Sequence, residues 1–437
     1  MKKVLIITYY WPPTGGSGVQ RWLKFAKYLP SLGWQPVIYT PENPEAPVID
    51  NSLIKDIPIE AIILKQPIWE PYSLYKFLSG KKKDEKISTG FLSENKKAGI
   101  IQKLSIWIRG NLLIPDPRKF WIKPSVSFLT EYLKNNPVSA IITTGPPHSM
   151  HMIGLQLKRK TNIHWVADFR DPWTNIDFYK ELKLSRYADK LHHKMEMEVL
   201  INADILLTIG NTMKEEFKEM LLKNNNAKNS DKIKALTNGY DEDDIKNVTG
   251  LDKKFSIAHI GTLTPSRNPE VLWKGLSELI KENPDFSADL EIKLVGKADI
   301  NILQSMKDAG LENYIRKTEY LDHDKVIELQ QQSQVLLLLI NNTPNSKGIL
   351  TGKFFEYMAA KRPILCIGPA DGDAAAILNE TQTGKISEYK DVATLKKNIL
   401  EFYHLYQQQK LSINSTGIEK YSRKNLTKEL VEILSTV

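Results

Sequence analysis

Apolar runs alternate with amphipathic segments along almost the whole chain, and this pattern predicts an α/β fold. Val4–Thr8 is a continuous apolar run, as expected for a strand buried on both faces of a parallel sheet. A glycine-containing loop at residues 9–18 follows, then helical spacing over Val19–Leu32 and a second strand at Pro36–Thr40. The loop therefore lies at the carboxyl end of the sheet, where α/β folds bind ligands. It lacks the Gly-x-Gly-x-x-Gly spacing of a dinucleotide site, and a turn that binds nothing is the alternative.

The same alternation continues to about residue 240 and begins again after a polar stretch at residues 246–253. A chain of 437 residues also exceeds the size at which one hydrophobic core stops growing. We therefore predict two doubly wound, Rossmann-like domains that face a central cleft, at residues 1–240 and 250–418. The apolar spacing of a last helix, within residues 419–437, suits packing on either half, and we place it on the first domain. The further predicted strands are Val138–Thr143, His164–Ala167, Ala203–Ile209, Lys234–Thr237, Ser256–Ile260, Glu291–Val295, Ile315–Thr318, Val335–Ile340 and Pro363–Ile367.

Composition narrows the class of protein. The 41% hydrophobic and 25% charged residues are ordinary for a soluble globular protein, and a single cysteine, Cys366, excludes an internal disulfide. The apolar runs are far shorter than the roughly 20 residues of a membrane span, so we expect a cytoplasmic protein. The net charge of +9 suggests a phosphate-bearing, nucleic-acid or acidic membrane partner, with simple solubility as the alternative.

Residues 69–123 depart from the alternating pattern by combining tryptophans and tyrosines with many lysines and arginines. Within them, Ile100–Leu113 is apolar with scattered basic residues, as in a helix that lies at a membrane interface. A docked insertion with a solvated charged face is the alternative. The lysine-rich stretch Lys81–Lys97 is expected to be a mobile loop. Together with the net charge, the segment favours a peripheral protein on the inner face of the plasma membrane.

Polar residues follow three of the predicted strands in the first half. Because the carboxyl ends of parallel strands meet at one edge of a sheet, we expect these residues to form one site. An aspartate–arginine pair that is only structural, and a histidine that only begins a helix, are the alternatives. The residues are Gly15 and Gly16 after the first strand, His148 and His151 after the strand at 138–143, and Asp168, Arg170 and Asp171 after the strand at 164–167.

The segment 351–365 in the second half predicts a loop, a short helix and a buried strand. Thr351 and Gly352 would leave backbone N–H groups free at the helix start, where the helix dipole favours an anion. Glu356 stands among aromatic residues one turn later, and a carboxylate there needs hydroxyls or a cation as partners. A phosphate at the helix start and a polyol beside the carboxylate describe a nucleotide or a nucleotide sugar. The alternative is an amphipathic helix whose glutamate faces water.

Taken together, the motifs resemble the retaining nucleotide-sugar glycosyltransferases of the GT-B fold, family 4, which includes bacterial mannosyl- and glucosyltransferases. The likeness covers nearly the whole chain and is closest to a bacterial branch with an Asp-Phe-Arg-Asp-Pro-Trp segment. It is carried by Tyr10-Trp11-Pro12-Pro13 with Gly15-Gly16, by Asp168–Trp173, by Asn238-Gly239-x-Asp241, by Gly261 with Arg267, and by Lys353-x-x-Glu356-Tyr357-Met358-Ala359-Ala360.

The resemblance implies transfer of a sugar with retention from a nucleotide-diphosphate sugar, without a metal ion or other cofactor. The acceptor would be a glycan or a lipid-linked molecule in cell-surface polysaccharide or glycolipid synthesis. Glu356 would bind the ribose hydroxyls, while the amides of Thr351 and Gly352 hold the diphosphate with Arg267 and Lys353. The Gly15-Gly16 loop would approach the phosphates and acceptor, and His148 or His151 would face the sugar.

Two positions depart from the family pattern. Gly348 stands where the family often has a second glutamate, and Thr262 where it often has an arginine. A nucleotide-sugar epimerase and a non-catalytic nucleotide-sugar-binding protein are therefore the alternatives. A nucleic-acid partner is not expected, because the lysines and aromatic residues form no recognised module. No Asp-x-Asp motif is suitably placed for a metal ion; the nearest acidic run is Asp241–Asp244.

Overall fold

A computed structural model of the protein describes residues 1–45, 48–71, 100–245, 250–319, 321 and 323–436. It divides into two compact units, Met1–Thr237 with Arg423–Val437 (unit 1) and Asn238–Ser422 (unit 2). Each unit contains one parallel sheet, so the predicted α/β class with two Rossmann-like domains is confirmed. The stretch Lys81–Lys97 lies outside the described residues.

Unit 1 is built around a seven-stranded sheet with the order β3-β2-β1-β4-β5-β6-β7. The interior strand that contains Val4–Ile7 is apolar throughout its buried part, because it is covered on both faces. The strands are β1 Lys2–Ile7, β2 Trp34–Pro41, β3 Ile62–Gln66, β4 Ala140–Gly145, β5 His164–Phe169, β6 Ile205–Thr208 and β7 Ile233–Ala235. The helices before the boundary are α1 Ser17–Tyr28, α2 Ile100–Asn111, α3 Lys119–Asn135, α4 Ser149–Thr161, α5 Arg186–Asn202 and α6 Asn211–Lys223.

Unit 2 has a six-stranded sheet with the order β10-β9-β8-β11-β12-β13. Its core is separate from that of unit 1 and is centred on β8, β9 and β11 with the apolar face of the first helix. The strands are β8 Phe255–Ile260, β9 Leu290–Val295, β10 Ile315–Thr318, β11 Val335–Leu339, β12 Ile364–Ile367 and β13 Gly384–Ser387. The helices are α7 Glu270–Glu282, α8 Pro284–Asp289, α9 Ile300–Asp308, α10 His323–Gln332, α11 Gly352–Ala359, α12 Asp373–Thr381 and α13 Val392–Gln407.

The chain then returns to unit 1 through a last helix, α14 Arg423–Ser435. Leu426, Leu430 and Leu434 lie one helical turn apart and join the buried core around Trp22 and Phe25 of α1. The helix is therefore a structural part of unit 1, although the whole of unit 2 precedes it in the sequence.

Strand order reverses at one place in each sheet, between β1 and β4 in unit 1 and between β8 and β11 in unit 2. The loops that leave the carboxyl ends of two such strands diverge to opposite faces and open a crevice, which is where doubly wound folds bind ligands. In unit 1 these loops carry Gly16 and His148. In unit 2 they carry Gly261 and Asn341.

The aromatic insertion is partly structural and partly exposed. Trp121 of α3 is buried and stacks on Tyr39 with ring centroids 4.8 Å apart. Trp107 of α2, in contrast, is 43% exposed. None of the helices in the described ranges is both long enough and apolar enough to cross a membrane.

Candidate functional site

The cationic part of the unit 2 site begins in the loop after β8. Pro265–Arg267 forms one 3₁₀ turn there, and Arg267 donates a hydrogen bond from Nε to Oδ1 of Asn341, just after β11. Tyr389 in turn donates to the Asn341 carbonyl oxygen at 2.9 Å. The guanidinium is therefore held at the point where the two adjacent strands end.

Lys353, in the first turn of α11, adds a second cation at the same place. Its Nζ lies so close to Gly261 that a Cβ atom on that residue would be 2.1 Å from it. Gly261 has a φ of 122°, which side-chain-bearing residues rarely adopt, so the backbone conformation favours glycine here. Burial, reinforced by the charge of Arg267 and opposed by Glu356, lowers the pKa of Lys353 to about 8. Within the described ranges, the ammonium has no hydrogen-bond or ion-pair partner of its own.

The start of α11 adds a hydroxyl group and backbone N–H groups to the two cations. Thr351 is the residue that precedes the helix, and its side chain makes no capping bond to the backbone. Its Oγ1 is buried without a protein partner among the described residues. A side chain added at Gly352 would meet nothing within 4 Å, so the backbone there is open to a ligand. Free N–H groups at a helix start bind phosphate well.

Unit 2 thus brings the predicted residues Arg267, Thr351, Gly352 and Lys353 to one crevice, with Glu356 half-buried one turn into the helix. Two positive charges and a helix start suit a diphosphate, and a half-buried carboxylate suits hydroxyl groups. The two positions that differ from the family pattern belong to the same loops: Gly348 ends a short 3₁₀ turn before α11, and Thr262 is exposed after β8.

His259 is a further member of this crevice that the sequence analysis did not identify. It is buried on β8, and its Nδ1 lies 3.3 Å from the carbonyl oxygen of Leu337. Burial, with the nearby charges of Lys353 and Arg267, lowers its pKa to about 3, so the ring is neutral. The only sequence signal was a histidine inside the predicted strand Ser256–Ile260.

In unit 1, one arginine joins the loops after β1, β4 and β5. Arg170 donates from Nη1 to the carbonyl oxygen of Gly18 at 3.0 Å and from Nη2 to that of Pro146. Its backbone N–H donates to the carbonyl oxygen of Gly145, also at 3.0 Å. The loops that carry the predicted residues therefore form one connected group.

Asp168, one of the predicted catalytic residues, is surrounded by donors of the protein itself. Its carboxylate is fully buried and forms an ion pair with Arg21 of α1 at 2.8 Å. Trp22 and Thr144 also donate to it, at 2.7 and 2.9 Å. Although burial alone would raise the pKa of Asp168, the ion pair and these hydrogen bonds lower it. The Asp168 carboxylate thus accepts from donors of α1 and β4, whereas Asp171 is exposed.

Both predicted histidines pack against aromatic rings. His148 begins α4 and stacks face to face on Trp173, with centroids 4.5 Å apart and planes 4° from parallel. His151 is fully buried against Phe169, and its Nδ1 lies 2.9 Å from Oγ1 of Thr143. Burial lowers the pKa of both rings, that of His151 to about 3, so both are neutral near pH 7.

The two predicted glycines of the first loop have different surroundings. Gly15 packs against Asp50, whose Cβ would be 2.9 Å from an added Cβ, and donates to the carbonyl oxygen of Val48. Gly16 has a φ of 95° with open space around it and begins α1. Only Gly16 therefore presents accessible backbone to a ligand.

Several residues that build this site were not foreseen. Arg21 and Trp22 appeared in the sequence only as members of an amphipathic helix. Asp116, from the insertion, accepts hydrogen bonds from Ser149 N and Oγ at 2.8 and 2.9 Å and so caps α4 beside His148. In the described part of the chain, no three His, Cys, Asp or Glu side chains are grouped so as to hold a metal ion.

Comparison with known proteins adds the fold class. No family model matches the chain, and no curated protein matches it. Solved structures match over nearly its whole length. Sucrose-phosphate synthase from Thermosynechococcus elongatus has a TM-score of 0.63 at 13% identity, covering 100% of this chain and 99% of its own. WaaG, a glycosyltransferase of lipopolysaccharide biosynthesis, gives 0.57 at 11%, covering 99% and 100%. A Listeria monocytogenes protein assigned as a UDP-N-acetylglucosamine 2-epimerase gives 0.55 at 11%, covering 99% and 96%.

These likenesses define the class of the fold: it is the GT-B fold of nucleotide-sugar glycosyltransferases. At such low identity they carry the architecture and not the reaction, since an epimerase shares it.

Proposed function

We propose that the protein is a retaining glycosyltransferase of the family 4 type. It would transfer a sugar from a nucleotide-diphosphate sugar to a glycan or lipid-linked acceptor, in the synthesis of a cell-surface polysaccharide or glycolipid. The observation that carries the proposal is the grouping of Arg267, Lys353 and Glu356 at the crevice of unit 2. The Lys353 ammonium is half-buried and makes no hydrogen bond or ion pair with the described residues, so it is suited to pair with an anionic ligand.

The reaction breaks the bond between the sugar C1 and the diphosphate oxygen, which keeps the electron pair. The acceptor oxygen forms a new bond to C1 on the same face, and its proton passes to the departing diphosphate. Arg267, Lys353 and the backbone N–H groups at the start of α11 stabilise the charge on the leaving group. Fixed donors of this kind supply the largest electrostatic contribution in many enzymes. Glu356 accepts hydrogen bonds from the ribose hydroxyls.

The groups of unit 1 serve the transferred sugar and the acceptor. Gly16 offers accessible backbone, and His148 and Asp171 offer polar groups on the connected loops. The ring of His151 lies beside that of His148, with centroids 5.9 Å apart. Asp168 acts as a positioning residue through its ion pair with Arg21. This division leaves nucleotide binding to unit 2.

The test is the binding of nucleotide-diphosphate sugars, measured by calorimetry on the parent and on Glu356→Gln. Loss of the charged acceptor should weaken binding at least tenfold, or about 1.4 kcal/mol, without lowering the melting temperature. The control is Glu312→Gln, an exposed glutamate of unit 2 that should bind like the parent. Unchanged affinity in a folded Glu356→Gln protein would contradict the assignment.

An epimerase is the second candidate, because the Listeria neighbour has the same fold. Product analysis with and without an acceptor distinguishes the two. An epimerase changes the nucleotide sugar without an acceptor, whereas a transferase releases nucleoside diphosphate only as the acceptor gains a sugar. Binding without either change would identify a non-catalytic nucleotide-sugar-binding protein.

We also propose that the protein binds the anionic inner face of the plasma membrane through an aromatic patch, defined as Trp69, Leu104, Trp107, Leu112 and Phe120. All five side chains are exposed, and Trp69 contacts Phe120 edge to face at 4.8 Å. Lys119 connects two members of the patch, since its Nζ donates to the Leu112 carbonyl oxygen and lies 5.6 Å from the Phe120 ring. Such a combination suits the interface of a bilayer.

Basic residues of α5 strengthen this interpretation. Arg186, Lys190 and Lys194 are exposed and recur every four residues, so they lie along one face of the helix. Each basic residue close to an anionic leaflet contributes about 1 kcal/mol to binding. The attraction weakens with salt because exposed charges are screened.

Co-sedimentation with vesicles tests the membrane proposal. The parent should bind anionic vesicles at low salt, and both Trp107→Ser with Phe120→Ser and Lys190→Glu with Lys194→Glu should bind less. The charge control is Lys218→Glu with Lys223→Glu on α6, which should bind as the parent does. Equal, negligible binding of the parent to anionic and neutral vesicles would remove the membrane claim and favour a soluble acceptor.

A further inference from the structure

The aromatic patch and the ligand loops of unit 1 are joined by one short stretch of chain, residues 112–120, which we call the connecting segment. It runs from the end of α2 into the first turn of α3. Both of its ends, Leu112 and Phe120, are exposed members of the patch. Lys119 ties one end to the other, because its Nζ donates to the Leu112 carbonyl oxygen at 2.8 Å. A partner that covers the patch therefore contacts both ends of the connecting segment.

The middle of the connecting segment holds the loop after β4. Oδ2 of Asp116 accepts from the Ser149 N–H at 2.8 Å, and Oδ1 accepts from the Ser149 hydroxyl at 2.9 Å. The Arg118 N–H fixes the same carboxylate, at 2.8 Å from Oδ1. Ser149 is the first residue of α4, and the side chain of the preceding residue, His148, does not cap the helix. Because an aspartate is favourable at a helix start, the insertion supplies the cap at which this loop ends and α4 begins.

The connecting segment also holds the loop after β1. Arg118 is buried, and its guanidinium lies over the ring of Tyr9, 4.5 Å from the centroid. Arg118 also pairs with Glu70 at 3.0 Å, and the Tyr9 hydroxyl donates to Glu70 at 2.8 Å. Tyr9 lies at the start of the loop that carries Gly16. Two positions of the connecting segment, 116 and 118, thus contact the two loops that open the crevice of unit 1.

From this arrangement we propose that binding of the aromatic patch to an anionic membrane activates the protein through the connecting segment, with Asp116 and Arg118 as positioning residues. Chains of packed side chains and hydrogen bonds carry coupling of this kind. A membrane that holds both ends of the segment immobilises it beforehand, so less conformational entropy is lost when the two loops bind substrate. The activation rests on the proposed function and on the proposed membrane contact, whereas the ordering of the loops by a membrane does not require sugar transfer.

Sugar transfer with and without anionic vesicles tests the activation. Asp116→Ala should bind the vesicles as the parent does, but the parent's stimulation should exceed that of Asp116→Ala at least about fivefold, the lower end of typical couplings between sites. A membrane-linked acceptor is concentrated equally for both proteins, so the difference reports the coupling alone. Asp116→Asn should recover part of the stimulation, because asparagine also caps helices. Asp391→Ala, which removes the cap of α13 in unit 2, is the control and should be stimulated like the parent. Full stimulation of a folded, vesicle-bound Asp116→Ala protein would overturn the proposal.

Hydrogen exchange without any substrate tests the coupling independently of the reaction. Anionic vesicles should slow exchange of the parent at residues 9–16 and 145–151, which lie outside the patch. Asp116→Ala should lose the protection of residues 145–151. Tyr9→Phe, which lacks the hydroxyl bonded to Glu70, should weaken only that of residues 9–16. Loops that exchange equally fast with and without bound vesicles would overturn the proposal, and so would a parent that binds no vesicles. Protection in a parent that transfers no sugar would refute the proposed function and support the coupling.

Discussion

The ion pair between Asp168 and Arg21 is a buried charge pair with neither side chain more than 1% exposed. Removal of one partner from such a pair leaves the other charge uncompensated, at a cost of about 3–5 kcal/mol. Asp168→Asn should therefore lower the free energy of unfolding of unit 1 by about that amount. Tryptophan fluorescence in a denaturant titration reports it, because eight of the nine tryptophans belong to unit 1 and only Trp273 to unit 2.

The pH dependence of that loss has a definite sign. The pKa of Asp168 is lower in the folded protein, so its contribution is present above the unfolded value of about 3.9 and is lost as the pH falls through the folded pKa. The free energy of unfolding of Asp168→Asn should therefore fall less than that of the parent when the pH is lowered through this range. The control is Glu215→Gln, whose exposed pair with Lys218 contributes no more than about 1 kcal/mol. An Asp168→Asn protein with the parent's denaturation midpoint would show that the pair is dispensable.

Lys353 provides a second titration at the residue scale. Its pKa is about 8, and an ammonium is needed to bind a diphosphate. Affinity for a nucleotide-diphosphate sugar should therefore be highest below that pH and should fall as the pH rises through it. Calorimetry across this range measures the effect. Lys353→Met should bind weakly and without this pH dependence, while Lys347→Met, an exposed lysine of the same unit paired with Asp371, should keep it. If Lys353→Met kept the parent's pH dependence of affinity, that dependence would belong to another titrating group.

At the residue scale, the sequence predicts those site residues that can be recognised from their immediate neighbours in the chain. Thr351, Gly352, Lys353 and Glu356 lie in one short segment, and a helix start followed by a carboxylate can be interpreted without knowing what surrounds it. Arg21 and Asp168 are 147 positions apart, and nothing near Arg21 distinguishes it from an exposed helical cation. The saturation of Asp168 by protein donors could therefore be seen only when the two strands and the helix were placed together.

At the scale of elements, α14 is the clearest case of long-range packing. Leu430 is fully buried in the core of unit 1, where a Leu→Ala change costs about 2–5 kcal/mol. Leu430→Ala should lower the stability of unit 1 by this amount in the fluorescence titration. The exposed Lys428 lies on the same helix, and Lys428→Ala should leave the midpoint unchanged. Equal stability of both variants would mean that α14 is not part of the cooperative unit.

The pattern of apolar runs predicted the central strands well because those strands are buried on both faces. It missed β3, whose residues Ile62–Gln66 alternate between half-buried and exposed at the edge of the sheet. The sequence predicts one long basic helix over Leu182–Leu200, but the helix begins at Arg186, because Ser185 accepts a hydrogen bond from the Ala188 N–H and caps it. An edge strand is only partly buried, and a helix start depends on a single hydrogen bond. Hydrophobic periodicity detects neither of these features.

At the scale of the whole molecule, the two units have separate cores and separate crevices, each at a reversal of strand order. A ligand bound by one unit stabilises that unit by an amount set by its concentration over its dissociation constant, about 2.7 kcal/mol at a hundredfold excess. Local opening that exposes backbone amides is suppressed to the same extent, so hydrogen exchange reports which unit binds which part of a ligand.

We therefore expect hydrogen exchange to separate nucleotide from sugar. A nucleoside diphosphate alone should slow exchange in unit 2, in the segments that follow β8 and β11 and at the start of α11, because the diphosphate and ribose contacts are assigned there. A nucleotide sugar should add protection in unit 1, around Gly16 and at residues 145–151, since the proposed sugar contacts lie on those loops. Glu356→Gln at the same ligand concentration should reduce both effects, whereas His148→Ala should reduce only the second. Protection of unit 1 by the nucleoside diphosphate alone would contradict this division, because it would require the phosphates or the nucleoside to bind the loops assigned to sugar and acceptor.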